Sequence, residues 1–168
     1  MKTVLVVCRG NIARSPVAEF FLNSKITNLN LKNKIQVFSR GTQGTPIDPQ
    51  PVKFPSISYY SNLYREAKPA LEKLGIDISM HISQPINEAD AKNADVILVV
   101  DTKTRNAVET LFPNFKNKVH TLSELVGKDE DFPDPENITG IEKHLKVFED
   151  IRDTIEAGFS KLLSLLQA

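Results

Sequence analysis

Val4-Leu5-Val6-Val7-Cys8-Arg9-Gly10-Asn11-Ile12-Ala13-Arg14-Ser15-Pro16 is the stretch on which the reading of this chain turns. Val4 to Val7 is apolar and β-branched with no alternation, the pattern of a strand covered on both faces in a parallel sheet. Ser15-Pro16 reads as a helix start, with Ser at the cap and Pro at the first position. Between them lies a strand–loop–helix turn that carries Gly10, Asn11 and Arg14. Such a turn aims backbone N–H groups at a common centre, and the helix N-terminus adds its positive dipole, so an anion site is expected. Arg14, six positions after Cys8, closes over that site with a planar fork matching two oxygens of a phosphate-like group. The same field favours a thiolate at Cys8, and the Ser15 hydroxyl is in reach of the sulfur. A thiolate beside a bound tetrahedral anion is placed to attack it, which makes Cys8 a candidate nucleophile for phosphoryl transfer. The Arg9 side chain is expected at the rim of the site or in solvent.

Further strands are expected at Ile35–Ser39, Val96–Val100 and Val119–Leu122. Helices are expected after Pro16, over Pro69–Leu74 and Asn87–Lys92, from Asp101 or Thr102 to about Leu111, and along the tail. In the tail, Thr139-Gly140-Ile141-Glu142 fits a capping box. Ile141, Leu145, Phe148, Ile151, Ile155, Phe159, Leu162, Leu163 and Leu166 then recur at helical spacing. Strands alternating with helices imply an α/β domain: a three-layer sandwich with a central four-stranded parallel sheet and the phosphate loop after the first strand. Ligands of such sheets sit at the carboxyl ends of strands, where Cys8 lies. Pro46, Pro49, Pro51 and Pro55 crowd one short stretch, so residues 43–65 are expected to form an atypical loop within one domain spanning 1–168.

Composition narrows the function classes. Of 168 residues, 40% are hydrophobic and 25% charged, a globular balance. Lys+Arg and Asp+Glu number 21 each, so there is no basic excess to suggest nucleic acid or a membrane surface as partner. No apolar run approaches the roughly 18 residues that span a bilayer. Cys8 is the single cysteine, which excludes an internal disulfide and speaks against a cysteine-based metal site. The expected setting is the cytoplasm, with no cofactor and no metal.

Cys8-Arg9-Gly10-Asn11-Ile12-Ala13-Arg14-Ser15-Pro16, with Ala18-Glu19 after it, resembles the signature of the low-molecular-weight protein tyrosine phosphatases. Ser39-Arg40-Gly41-Thr42, Leu74-Gly75-Ile76-Asp77, His81-Ile82-Ser83, Ala94–Asp101 and Asp134-Pro135 extend the resemblance over most of the chain. It implies a metal-free phosphomonoesterase acting on a phosphotyrosine protein or small aryl phosphate. Cys8 is then the nucleophile, Arg14 the phosphate clamp and Asp134 the general acid and later base. Arg9, Gly10, Asn11, Ile12, Ala13 and Ser15 surround the phosphate, and Asn11, Ser15, Ser39 and His81 hold the loop in shape. Without the resemblance, Asp134 reads equally as a turn residue between Pro133 and Pro135.

The chain also departs from the family pattern. Ala13 stands where many members have a second cysteine, so Cys8 has no internal thiol to shield it from oxidation. Glu136-Asn137 follow Asp134-Pro135 where many members have aromatic residues. Tyr59, Tyr60 and Tyr64, with Phe54 nearby, fall in or beside the atypical loop; they either wall the site or anchor the loop to the domain. Members acting on phosphoarginine tend to carry Thr where this chain has Ile12, which favours an aryl phosphate. Two other functions compete: arsenate reduction with an external thiol, and a phosphoryl carrier or anion-binding module, which needs neither Arg14 nor Asp134.

Overall fold

The structure, a computed structural model, describes residues 1–167. Four strands form one all-parallel sheet: β1 (Lys2–Cys8), β2 (Ile35–Gly41), β3 (Val96–Val99) and β4 (Val119–Thr121), in the order β2-β1-β3-β4. The chain runs from β1 to β2 on one side and later returns to β3 on the other. The end of β1 is therefore the point where the strand order reverses, which is where an open α/β sheet leaves a crevice for ligand.

The apolar runs behave as doubly covered strands should. Val4 and Val6 face a core shared with Val96 and Leu98, whereas Leu5 and Val7 face a second core with Ile97 and Val99. The first core is closed by α1 (Arg14–Asn28), α2 (Ser61–Lys73) and α5 (Ile141–Gln167). The second is closed by α3 (Glu88–Asn93) and α4 (Thr102–Leu111), through Ala91 and Val108. Helices on both faces of a parallel sheet make the three layers expected of the α/β alternation. Asn87 and Asp90 form a reciprocal capping box at the start of α3, and Asp101 caps α4 by accepting the Thr104 N–H at 2.6 Å.

Three local expectations are corrected. Ser15 is not the cap of α1: the helix already starts at Arg14, and Ser15 turns its hydroxyl towards Cys8. Residues 43–65 are not loop throughout. A 3-10 turn forms at Ile57–Tyr59, and α2 begins at Ser61 and carries Pro69 within it. The expected Pro69–Leu74 helix is thus the second half of a longer one. Leu63, Ala67, Ala70, Leu71 and Leu74 share its inner face, and burial there outweighs the backbone hydrogen bond that Pro69 cannot donate. Thr139 and Glu142 do not cap α5, which starts one residue beyond the expected register. The Gly140 N–H instead donates to Glu66 of α2 at 2.8 Å.

The long α5 buries Phe148, Ile151, Ile155 and Leu162, as the spacing indicated, while Ile141 at its start lies exposed. Gly158 permits the close approach of α5 to the Ser123–Val126 turn. A Cβ there would lie 2.5 Å from Leu125 Cβ and 3.2 Å from the Leu125 carbonyl. Gly158→Ala is expected to cost about 2 kcal/mol, because overpacking against backbone exceeds the gain in helix propensity. Urea denaturation reads this directly; a variant as stable as wild type would show that the turn yields freely.

Candidate active site

The turn after β1 wraps around the Cys8 sulfur. The Asn11 backbone N–H donates to Sγ at 3.1 Å, and the Ser15 Oγ lies 3.0 Å from it. Asn11 sits at φ 53°, the left-handed region that an asparagine tolerates, and this bend carries its amide inward. Cys8 and Arg14 are both nearly enclosed, at 3% and 4% exposure.

Behind the loop lies a buried polar brace. Asn11 Nδ2 donates to Ser15 Oγ at 3.0 Å and to Ser39 Oγ at 2.8 Å, while Ser39 donates to Glu19 at 2.6 Å. Asn11 Oδ1 accepts the Gln84 N–H at 3.0 Å and lies 3.1 Å from His81 Nε2. The Nδ2 contacts with Ser15 and Ser39 leave Oδ1 facing His81, and an amide oxygen only accepts, so His81 donates from Nε2. Burial pushes the His81 imidazole below its ordinary range; nearby Glu19 opposes this without cancelling it. His81 is therefore a neutral donor to Asn11 within this brace. Ser83 adds a hydroxyl bond to the Gly10 carbonyl at 2.7 Å. Gly41, at the end of β2, has no room for a side chain, because a Cβ would sit 2.6 Å from the Arg9 carbonyl.

Arg14 faces the other way, into a carboxylate cradle. Its Nη1 donates to Asp101 at 2.6 Å and to the Phe132 carbonyl at 2.9 Å; Nη2 donates to Asp134 at 3.2 Å. Burial works against the guanidinium charge, but Cys8, Asp134 and Asp101 outweigh it and hold its pKa above the ordinary value. Burial likewise opposes charge on Asp101, yet the bonds from Thr104 and Arg14 prevail and keep its carboxyl below the usual carboxylate range. Asp134 is a turn residue that also reaches Arg14. Its Oδ1 accepts the Glu136 N–H at 3.1 Å, capping the Pro135–Asn137 turn, while its Oδ2 meets Arg14. Arg9 lies at the rim, as expected, and pairs with Asp48 at 2.8 Å.

The structure thus brings Cys8, Arg14 and Asp134 together. Arg9, Gly10, Ile12 and Ala13 line the small cavity above the sulfur with Gln43, Tyr60, Leu63, Pro135 and Glu136. Asn11 and Ser15 support the loop from behind and are not among the lining residues. Ser39 and His81 stand in the brace. Sequence reasoning missed Asp101 as a partner of Arg14, Glu19, Ser83 and Gln84 in the brace, and Asp48 against Arg9. Of the three tyrosines, Tyr60 lines the cavity, Tyr64 packs on the core and Tyr59 lies exposed. Among the described residues, no group of three or more His, Cys, Asp or Glu side chains is arranged to hold a metal ion. No described helix is long and apolar enough to cross a membrane.

Comparison with known proteins places this geometry. The family model described as low molecular weight phosphotyrosine protein phosphatase matches residues 3–168. The low molecular weight protein-tyrosine-phosphatase Ptp of Acinetobacter johnsonii is 34% identical over 134 residues, 80% of each chain. YfkJ of Bacillus subtilis, of the same description, is 28% identical over 171 residues, covering 99% of this chain and 97% of the other. Among solved structures, the low molecular weight protein tyrosine phosphatase of T. tengcongensis superposes with a TM-score of 0.76 at 28% identity, covering 96% of this chain and 99% of that one. The match to the family model runs through every strand and helix described above, so the chain belongs to the low molecular weight phosphotyrosine protein phosphatase family.

Proposed function

We propose that this protein hydrolyses aryl phosphate monoesters, phosphotyrosine in proteins above all, through a phosphocysteine. The observation that carries the reading is the convergence of the Asn11 N–H and the Ser15 hydroxyl on Cys8 Sγ, with the Arg14 fork close by.

In the first step the Cys8 sulfur attacks phosphorus. An S–P bond forms, the bond from phosphorus to the aryl oxygen breaks, and that oxygen takes a proton from Asp134. In the second step water attacks phosphorus and gives a proton to the Asp134 carboxylate. The S–P bond breaks, inorganic phosphate leaves and the sulfur recovers its electron pair. One carboxyl group serves both steps because it gives and then takes the same kind of proton. The loop amides and Arg14 stabilise the equatorial oxygens of each transition state. An arriving phosphate competes with Asp134 for Arg14 Nη2, which frees the carboxyl to face the leaving oxygen. Asp101 and the Phe132 carbonyl keep hold of Nη1 meanwhile, so the guanidinium does not swing away.

Ile12 supports an aryl substrate over phosphoarginine, because its side chain offers no hydrogen bond to an additional guanidinium nitrogen and lines the cavity directly. The lone Cys8 suits a reducing, cytoplasmic setting.

The test is hydrolysis of two aryl phosphates between pH 5 and 8 in the presence of a metal chelator. Wild type is expected to turn over both p-nitrophenyl and phenyl phosphate. Asp134→Asn, which keeps the turn cap, is expected to lose about 10²-fold or more in kcat on phenyl phosphate. Its loss on p-nitrophenyl phosphate is expected to be smaller, since a better leaving group needs its proton less. Equal rates for Asp134→Asn and wild type on both substrates would reduce Asp134 to a turn residue. A folded wild type without turnover would overturn the phosphatase reading itself.

A further inference from the structure

The cavity above Cys8 holds only about 30 Å3, far below the several hundred Å3 of a usual ligand pocket. It has room for part of a phosphate group and none for an aromatic ring, so the ring must lie against whatever borders it. Two larger cavities adjoin. One, of about 660 Å3, meets the site along Arg9, Arg14 and Asp134. That border is made of ion pairs, Arg9 with Asp48 and Arg14 with Asp101 and Asp134. A ring laid there would strip water from charged groups without offering them hydrogen bonds. The other, of about 470 Å3, meets the site along Tyr60, Leu63, Pro135 and Glu136. Glu136 is the single charge on this border and is exposed to water.

Tyr60 is also held in place. Phe54 donates its backbone N–H to the Tyr60 hydroxyl at 3.1 Å, and the Phe54 ring meets the Tyr60 ring edge-on at 5.2 Å between centroids. Leu63 follows three positions later on the same face of α2. An aromatic ring fixed by its own neighbours loses little freedom when a second ring packs on it.

Resting on the phosphatase reading, we propose that Tyr60 and Leu63 are the specificity-determining residues of this enzyme: the ring of an aryl phosphate packs on them, on the α2 side of the site, and not over the Arg9–Asp48 side. The wall on which the substrate ring lies then comes from residues 60–63, whereas the segment after Asp134-Pro135 contributes only Glu136 to the border with the phosphate cavity.

Competitive inhibition constants for two probes separate the ring from the phosphate. Inorganic phosphate reports the loop alone, and benzylphosphonate adds a ring. Tyr60→Ala is expected to weaken benzylphosphonate about tenfold, and Leu63→Ala to weaken it severalfold, with phosphate unchanged within about twofold in both. Tyr60→Phe, which keeps the ring, is expected to match wild type. Ile47→Ala and Lys103→Ala, on the other cavity, are expected to leave both constants unchanged. With p-nitrophenyl phosphate the Tyr60→Ala defect falls on KM more than on kcat. The proposal is overturned if Tyr60→Ala and Leu63→Ala bind benzylphosphonate as wild type does, or if the weakening appears instead in Ile47→Ala or Lys103→Ala. Should Tyr60→Ala lose phosphate binding through loosening of residues 54–60, Leu63→Ala decides the matter. A wild type that binds neither probe removes the phosphatase reading, and this one with it.

Discussion

Cys8→Ser is expected to abolish turnover, lowering kcat for p-nitrophenyl phosphate by about 10⁴-fold or more. The substitution changes one atom in a site that is otherwise built for it. Serine fits the space, and the Asn11 N–H and the Ser15 hydroxyl remain aimed at its oxygen, so the loop keeps its shape. What disappears is the nucleophile: no general base stands beside residue 8 to activate a hydroxyl, since the Ser15 and Asn11 contacts are both able to donate. Inorganic phosphate should still bind, because the amides and Arg14 are untouched. Titration with phosphate alongside the rate assay separates the two outcomes. A serine variant within tenfold of the wild-type rate would remove Cys8 from the covalent role.

Arg14→Lys is expected to lower kcat/KM on the order of 10²- to 10³-fold. The guanidinium spans the Asp101 carboxylate, the Phe132 carbonyl and Asp134 from two nitrogens, and has a planar fork to offer phosphate. An ammonium is a point charge on a flexible stem and cannot serve those acceptors and two phosphate oxygens together. The same substitution is expected to loosen the fold at neutral pH. Asp101 binds its proton less readily in the folded chain than in the unfolded one. Its stabilising contribution is therefore complete at neutral pH and is lost on acidification through and below about pH 4. Replacing Arg14 weakens that contribution, so the stability gap between variant and wild type should narrow as the solution is acidified. A gap that does not change with pH would assign the stability loss to packing alone.

The fold was legible because its decisive elements are local. Val4–Val7 and Val96–Val99 are covered on both faces and therefore read as unbroken apolar runs. The phosphate loop was legible because nucleophile, bend, clamp and helix start lie within nine residues. Elsewhere one side chain has two duties, and only the local duty leaves a mark in sequence. Asp101 reads as a helix cap and is one through Oδ1, but its Oδ2 holds Arg14 from 87 residues away. Ser15 reads as a cap and is none, since its hydroxyl is drawn to the cysteine. Residues 43–65 were obscured by proline density. Prolines 46 to 55 do prevent regular structure, but Pro69 does not end α2. The spacing of Leu63, Ala67, Ala70, Leu71 and Leu74 across it was the available signal. Glu19, Ser83, Gln84 and Asp48 meet the loop only through the tertiary fold; Glu19 and Ser83 stand in segments that resemble the family, but their contacts with the loop leave no local mark in sequence.

The brace behind the loop and the cradle around Arg14 have a kinetic meaning. Each ties the first fifteen residues to partners far along the chain: Ser39, His81 and Gln84 on one side, Asp101, Phe132 and Asp134 on the other, the last 120 residues distant. Contacts of such separation require large loops to close before they return any stabilisation, which slows folding. During synthesis the cysteine and its arginine emerge among the first residues, yet their final ligand arrives only when most of the chain has been made. The pocket is thus complete only when the chain has folded as far as Asp134, 120 residues beyond Arg14.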